Sequence, residues 1–137
     1  MSYLLDTNVI SELRKGERAE PSVSNWFAGL ADREIHLSVL TIGEVRRGVE
    51  SVRRRDPDSA AALDGWLSRL TEAHRDRILQ VDRAIAEEWG RMNVPDPLPV
   101  VDGLLAATAR VVGLTLATRN VADIEGTAVE LFDPFDG

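Results

Sequence analysis

The chain has 137 residues, enough for one ordinary domain with its own core and too few for two. Its 44% apolar and 28% charged content argues against disorder and coiled coil, and the lack of cysteine removes disulfides, thiolate zinc and a cysteine nucleophile together. A formal charge of −7 is the wrong sign for a protein that holds nucleic acid by bulk charge alone.

The first apolar run, Tyr3-Leu4-Leu5, climbs straight into Asp6, Thr7 and Asn8, and an amphipathic stretch, Val9–Arg14, follows at once. Asp is a poor strand residue and is costly to bury unless paired, hydrogen-bonded or bound to a cation. The same trio offers three good helix N-caps, so stopping a strand and starting a helix is the simplest reading of it. Pro21–Leu30 carries Val23, Trp26, Phe27 and Leu30 at helical spacing. Ile35–Val39 reads as a second strand and Thr41–Val52 as a helix, with Thr41 as its cap and Glu44 completing a capping box. Arg46, Arg47, Arg53, Arg54 and Arg55 crowd into ten positions of this region, and Lys15 is the only lysine among the 16 basic residues. Arg is the better fork for phosphate, although a solvated helix face uses it equally well.

Asp58–Ala73 places Ala61, Ala62, Leu63, Trp66, Leu67 and Leu70 on one broad helical face. A third strand at Ile78–Val81 leads to a helix over Asp82–Met92, with Ile85, Ala86 and Trp89 as its apolar set. N-V-P-D-P-L-P then cannot be helical throughout and reads as a loop into the last long helix, Pro99–Val112, which ends at Gly113. Leu114–Ala117 and Ala128–Phe132 are the remaining strands. Trp26, Trp66 and Trp89 all fall at core positions of helices, which favours packing over base stacking.

Strands alternating with helices imply crossover connections. The expected fold class is α/β, a three-layer sandwich with a mainly parallel central sheet, as a single domain over residues 1–137. No repeat or long linker divides it. His36 and His74 are the only histidines, which leaves little room for Ser-His-Asp catalysis or a histidine-rich metal site. No apolar run approaches ~18 residues and the first residues lack a basic region followed by an apolar core. A soluble, cytoplasmic protein without membrane attachment is the expectation.

In a parallel sheet, functional residues gather beyond the carboxyl ends of the strands. Asp6 stands there. Glu44, in L-S-V-L-T-I-G-E-V-R-R-G-V, is expected on the first turn of the helix after the second strand. Asp102, in P-V-V-D-G-L-L-A-A-T-A-R, opens a helix among Val100, Val101, Leu104 and Leu105, so a largely buried stretch is expected around it. L-A-T-R-N-V-A-D then runs off a strand into Thr118, Arg119, Asn120 and Asp123. Each acid alone is explained by the preference of carboxylates for helix N-terminal turns. Four of them on one sheet edge would repel one another without a cation. Hard divalent ions with oxygen ligands relieve that repulsion, and Mg²⁺ binds through few carboxylates while keeping several waters. Such a site suits phosphoester hydrolysis.

The order of D-T-N-V-I-S-E, T-I-G-E-V-R-R-G, D-G-L-L-A-A-T-A and L-A-T-R-N-V-A-D-I, closing on L-F-D-P-F, resembles the PIN-domain ribonucleases across essentially the whole chain. More narrowly it is similar to the VapC/FitB-type toxins of bacterial toxin–antitoxin modules. The resemblance implies a metal-dependent endoribonuclease, using Mg²⁺ with Mn²⁺ as a substitute, that cuts RNA, is held inactive by a cognate antitoxin protein, and forms a homodimer. Asp6, Glu44 and Asp102 match the family's metal-binding acids, with Asp123 as a fourth catalytic acid. Some relatives carry Asp directly after the T-R pair, where this chain has Asn120, so one ion or two remains open. Asn8, Thr118, Arg119 and Asn120 are the implied hydrogen-bonding partners of the acids or contacts to substrate.

Two enzyme classes that also open with a strand ending in Asp fit badly. A haloacid-dehalogenase-like phosphatase needs a second Asp where Asn8 stands and a Lys after a later strand, and a phosphoreceiver domain lacks the same Lys. The alternatives are a PIN-like binding module without catalysis and a structure-specific DNA nuclease, since nothing in the sequence identifies a contact to a 2′-hydroxyl.

Overall fold

Five short strands lie parallel in the order β3-β2-β1-β4-β5 in the computed structural model, which describes residues 1–136. They are β1 (Tyr3–Leu5), β2 (Ile35–Ser38), β3 (Ile78–Leu79), β4 (Thr115–Ala117) and β5 (Leu131–Phe132). The helices between them are α1 (Thr7–Leu13), α2 (Pro21–Ala28), α3 (Val39–Arg53), α4 (Pro57–Ala73), α5 (Arg83–Met92), α6 (Val100–Val112) and α7 (Val121–Ile124). The strand β1 pairs with β2 on one side and with β4 on the other. The chain therefore builds outward to β3, then returns to the opposite flank of β1, which makes the β1/β4 junction the switch point where open α/β sheets form clefts.

Strand alternation sends neighbouring residues to opposite faces. Leu4 and Leu116 pack with Leu105, Ala106 and Ala109 of α6, whereas Leu5 and Ala117 pack with Val9, Ile10 and Val23 of α1 and α2. Helices thus cover both faces, and the three-layer α/β sandwich is the fold observed. Leu4, Leu5, Leu37, Leu105 and Leu116 are fully buried, each removing enough apolar surface to contribute roughly 1.5–3 kcal/mol. No helix among the described residues is long and apolar enough to cross a membrane.

Several element boundaries differ from the sequence reading, each for a local reason. The first helix starts at Thr7, because Asp6 itself takes the N-cap position and accepts from the Thr7 N–H at 2.6 Å. The helix expected from Thr41 starts at Val39, because the buried Ser38 hydroxyl accepts from the Leu40 N–H at 3.0 Å. Thr41 is therefore inside the first turn, fully buried, with no partner for its hydroxyl among the described residues, and there is no Thr41–Glu44 capping box. Asp56 caps α4, which starts at Pro57, one residue before the expected Asp58, and Ala61 and Ala62 face solvent while Ala60 takes the core position. Around Asp102 the stretch is only partly buried, since Val100 is 61% exposed. The short helix α7 after β4 had no clear signature in the sequence.

The three tryptophans pack as expected. Trp26 meets Tyr3 edge-on at 5.1 Å, Trp66 joins the cluster under α1 and α2, and Trp89 lies against Gly103. Of the crowded arginines, Arg46 and Arg53 are tied to Asp64 and Glu50, which links α3 to α4.

Candidate active site

Asp6 sits where the ladder ends. Its backbone N–H still donates to the Ala117 carbonyl at 2.9 Å, so the residue is pinned to the end of β4 before the chain turns into α1. The residue is 4% exposed, and Oδ2 accepts from the Thr118 hydroxyl at 2.7 Å. The Thr118 backbone N–H in turn donates to the Phe132 carbonyl at 2.9 Å, which fixes the hydroxyl against β5. The Asn8 amide reaches Thr118 Oγ1 at 3.4 Å and Asp6 Oδ2 at 3.5 Å, both long and weak, while Asn8 Oδ1 accepts from the Arg119 N–H at 3.2 Å. The Asn120 N–H donates to Thr118 Oγ1 at 3.0 Å. D-T-N and T-R-N, more than a hundred residues apart in sequence, thus interlock as one hydrogen-bonded unit around the Asp6 carboxylate. Of the residues expected beside the acids, Thr118 and Asn8 reach Asp6 directly, whereas Asn120 reaches only Thr118, through its backbone.

Thr7 is the member that the sequence reading missed. Its hydroxyl donates to Glu44 Oε1 across 37 residues, joining the start of α1 to α3. Glu44 lies on the second turn of α3, not the first, because the helix starts earlier than expected. Read as a cap beside Asp6, Thr7 carried no signal of this distant partner.

Electrostatics reveals how the acids are grouped. Burial, the largest influence, pushes the Asp6 carboxyl above the usual aspartate range, hydrogen bonds from Thr118 and Thr7 pull it back, and the charge of Glu44 raises it further. The Asp102 carboxyl is raised first by burial and then by the charges of Asp6, Asp123 and Glu44. All four sequence-derived acids therefore share one neighbourhood centred on Asp102, and every charge that shifts Asp6 or Asp102 has their own sign. None of the four belongs to an ion pair among the described residues. Among those residues no three acids or histidines are grouped tightly enough to enclose a metal ion by themselves. The donor set, hard oxygens of one sign without a cation, is nonetheless the set that a hydrated divalent ion takes, because Mg²⁺ uses one or two carboxylates and keeps its waters.

The two histidines take other places. His36 lies in β2, where burial holds its imidazole below the usual range, and the His74 ring pairs with the Leu70 carbonyl at 2.9 Å. Beside Glu44 a cavity of about 230 Å³ opens between α1, α3 and α4, lined by Thr7, Arg14, Val45, Val49 and Trp66 among others.

Comparison with known proteins places this geometry in context. The PIN domain family matches residues 3–124. The VapC ribonuclease Y4jK of Sinorhizobium fredii is 29% identical over 140 residues, covering 97% of both chains. Toxin FitB of Neisseria gonorrhoeae is 28% identical over 137 residues, covering 96% of this chain and 97% of its own. Among solved structures, FitAcB from Neisseria gonorrhoeae superposes with a TM-score of 0.89 at 29% identity, over 97% of this chain and 98% of that one.

Proposed function

The chain belongs to the PIN-domain family, and on that footing we propose that it is a metal-dependent endoribonuclease, the toxin of a toxin–antitoxin pair. The observation that carries this reading is the mutual influence of Asp6, Glu44 and Asp123 on Asp102 near the switch point of the sheet, with none of the four acids paired to a Lys or Arg among the described residues. Relatives named as ribonuclease and toxin support the chemistry, and the toxin's name together with the likeness to FitAcB supports a partner that restrains it.

Asp6, Glu44 and Asp102 would hold Mg²⁺, or Mn²⁺ in its place. Bound there, the ion would lower the pKa of an attacking water and offset charge developing on the scissile phosphate. The chain's own residues do the rest. Thr118 and the Thr7 N–H fix the Asp6 carboxylate, and the Thr7 hydroxyl fixes Glu44, so both acids meet their ligand without reorganising. Asp123, whose charge is felt at Asp102, would be the group to accept a proton from the attacking water. Asn120 lends an uncharged amide where some relatives carry a fourth acid.

We assign residues 1–137 to one functional unit, acting in the cytoplasm as a homodimer on RNA. The antitoxin occupies the cavity beside Glu44 with an amphipathic segment, whose Arg reaches the acids and forks onto two carboxylates. Along Val9–Leu13 and Ile42–Val49, Val9, Ile10 and Val49 are core and Leu13, Ile42 and Val45 are half-buried, so only the latter group is left to offer apolar surface to such a segment.

A panel of labelled RNAs and single-stranded DNA, incubated with pure protein in Mg²⁺, Mn²⁺ or chelator, tests the reading. Cleavage of RNA that stops in chelator is expected. Cleavage confined to DNA, or binding of RNA without cleavage under any metal, would replace it with the nuclease or the binding-module alternative.

A further inference from the structure

The closing segment L-F-D-P-F contributes no side chain to the acid group, yet its last ring lies under a cation beside it. Asp133 Oδ1 accepts from the Phe135 N–H at 2.9 Å, and the Ser22 hydroxyl of α2 donates to the Phe135 carbonyl at 3.3 Å. The ring is thereby anchored from its own turn and from a helix early in the chain. Above it stands the Arg119 guanidinium, with Cζ 3.7 Å from the ring centroid. Arg119 directly follows Thr118, the residue that holds Asp6, and its backbone N–H is bound by Asn8.

The charge of Arg119 is not taken up by the acids. Arg119 forms no ion pair among the described residues, and it is absent from the charges that shift Asp6 and Asp102. Among the described residues its charge acts on Glu12, whose carboxyl is held low chiefly by the Glu20 N–H and by Lys15, and least by Arg119. An exposed cation is thus fixed within one residue of the hydrogen bond that holds Asp6, with its charge left over. Stacking uses only the flat face of a guanidinium, so the in-plane N–H donors, the ones that fork onto phosphate, stay free. A face bearing four carboxylates repels an RNA backbone everywhere except at a bound ion, so a cation on its border is what a polyanion needs in order to settle there.

We propose that Arg119, seated on the Phe135 ring, binds an RNA phosphate next to the scissile one, with the D-P-F turn as its support. The proposal rests on the ribonuclease reading above, and it gives a role to the closing motif that reading leaves unused. Phe135 is then a positioning residue that acts through Arg119, because holding the side chain in place beforehand removes part of the ordering cost of binding.

The test is binding of a fluorescent single-stranded RNA in the Asp102→Asn background, measured across a salt series, with cleavage by the otherwise wild-type proteins run in parallel. Arg119→Ala is expected to weaken binding about tenfold and to reduce the slope of log K against log salt by about 0.7, one phosphate contact. Arg119→Lys should keep the salt slope with intermediate affinity. Phe135→Leu should weaken binding by a smaller factor, and Phe135→Tyr should restore it at unchanged melting temperature. Arg119→Ala with wild-type affinity and slope overturns the proposal, as does loss of binding that follows melting temperature alone in both Phe135 variants. RNA held in an Arg119-dependent way but never cut would uphold this inference and overturn the nuclease reading, so the two fail separately.

Discussion

Asp102 is the residue on which the site turns, and it is also the cleanest one to change, since its carboxylate has no hydrogen-bond partner among the described residues. Its folded pKa lies above the ordinary aspartate value of 3.8. Between those two values the folded state binds the extra proton, so stability contributed by this group falls as pH rises through the window and stays lower at neutral pH. In metal-free buffer, Asp102→Asn is therefore expected to melt above the wild type at pH 7, with the gap closing as pH is lowered toward 4; melts in chelator across that range check it, and a constant gap would mean that neither burial nor the neighbouring acids raise this carboxyl. Asp6 and Asp102 were legible in sequence because acids in apolar company at strand and helix junctions stand out. Thr7 was not, because a hydroxyl reveals its partner only when the fold brings Glu44 beside it. Phe135 was hidden for the same reason, since a terminal aromatic in a turn gives no sign of the cation above it.

Helix and strand identity was readable from apolar spacing, and helix starts were less so. Ser38 outcompetes Thr41 as cap because the strand β2 ends on it, which lets its hydroxyl meet the Leu40 N–H while Thr41 turns into the core. Parallel pairing could be inferred from the alternation of elements, but the strand order needs contacts that the sequence does not display. Gly103 shows how an element can tune the site. A Cβ there would lie 3.2 Å from the Trp89 ring and 3.3 Å from Leu98, tighter than ordinary packing, directly after Asp102. Gly90 on α5 faces open space. Gly90→Ala is expected to raise stability by about 0.5–1 kcal/mol through helix propensity. Gly103→Ala should lose that gain to strain between α5 and α6 and shift Asp102, so its Mn²⁺ affinity should fall. Equal gains from both substitutions, with unchanged metal affinity, would show that the α5–α6 contact does not set the position of the acid.

At the scale of the whole molecule, the fold serves as a frame that holds like charges together. A sheet with its switch point between β1 and β4 brings the first and last thirds of the chain to one edge, and helices on both faces supply Glu44 and Asp102 to it. The sequence disclosed the acids and their order, whereas their gathering around Asp102 required the fold. Metal that binds only the folded state adds about 2.7 kcal/mol at a hundredfold excess over Kd, or roughly 5–10 °C in melting temperature for a domain of this size. Mn²⁺ should give a shift of that order in the wild type and much less in Asp6→Asn, and identical shifts would mean that the acids do not form one site. The most direct measurement of the central claim is cleavage of one labelled RNA by wild type and Asp102→Asn side by side in Mn²⁺, with folding of both verified by their melts. The expected result is a loss of about a hundredfold or more in the variant, together with complete loss in the wild type on adding chelator. Full cleavage by a folded Asp102→Asn protein, or by the wild type in chelator, would contradict it.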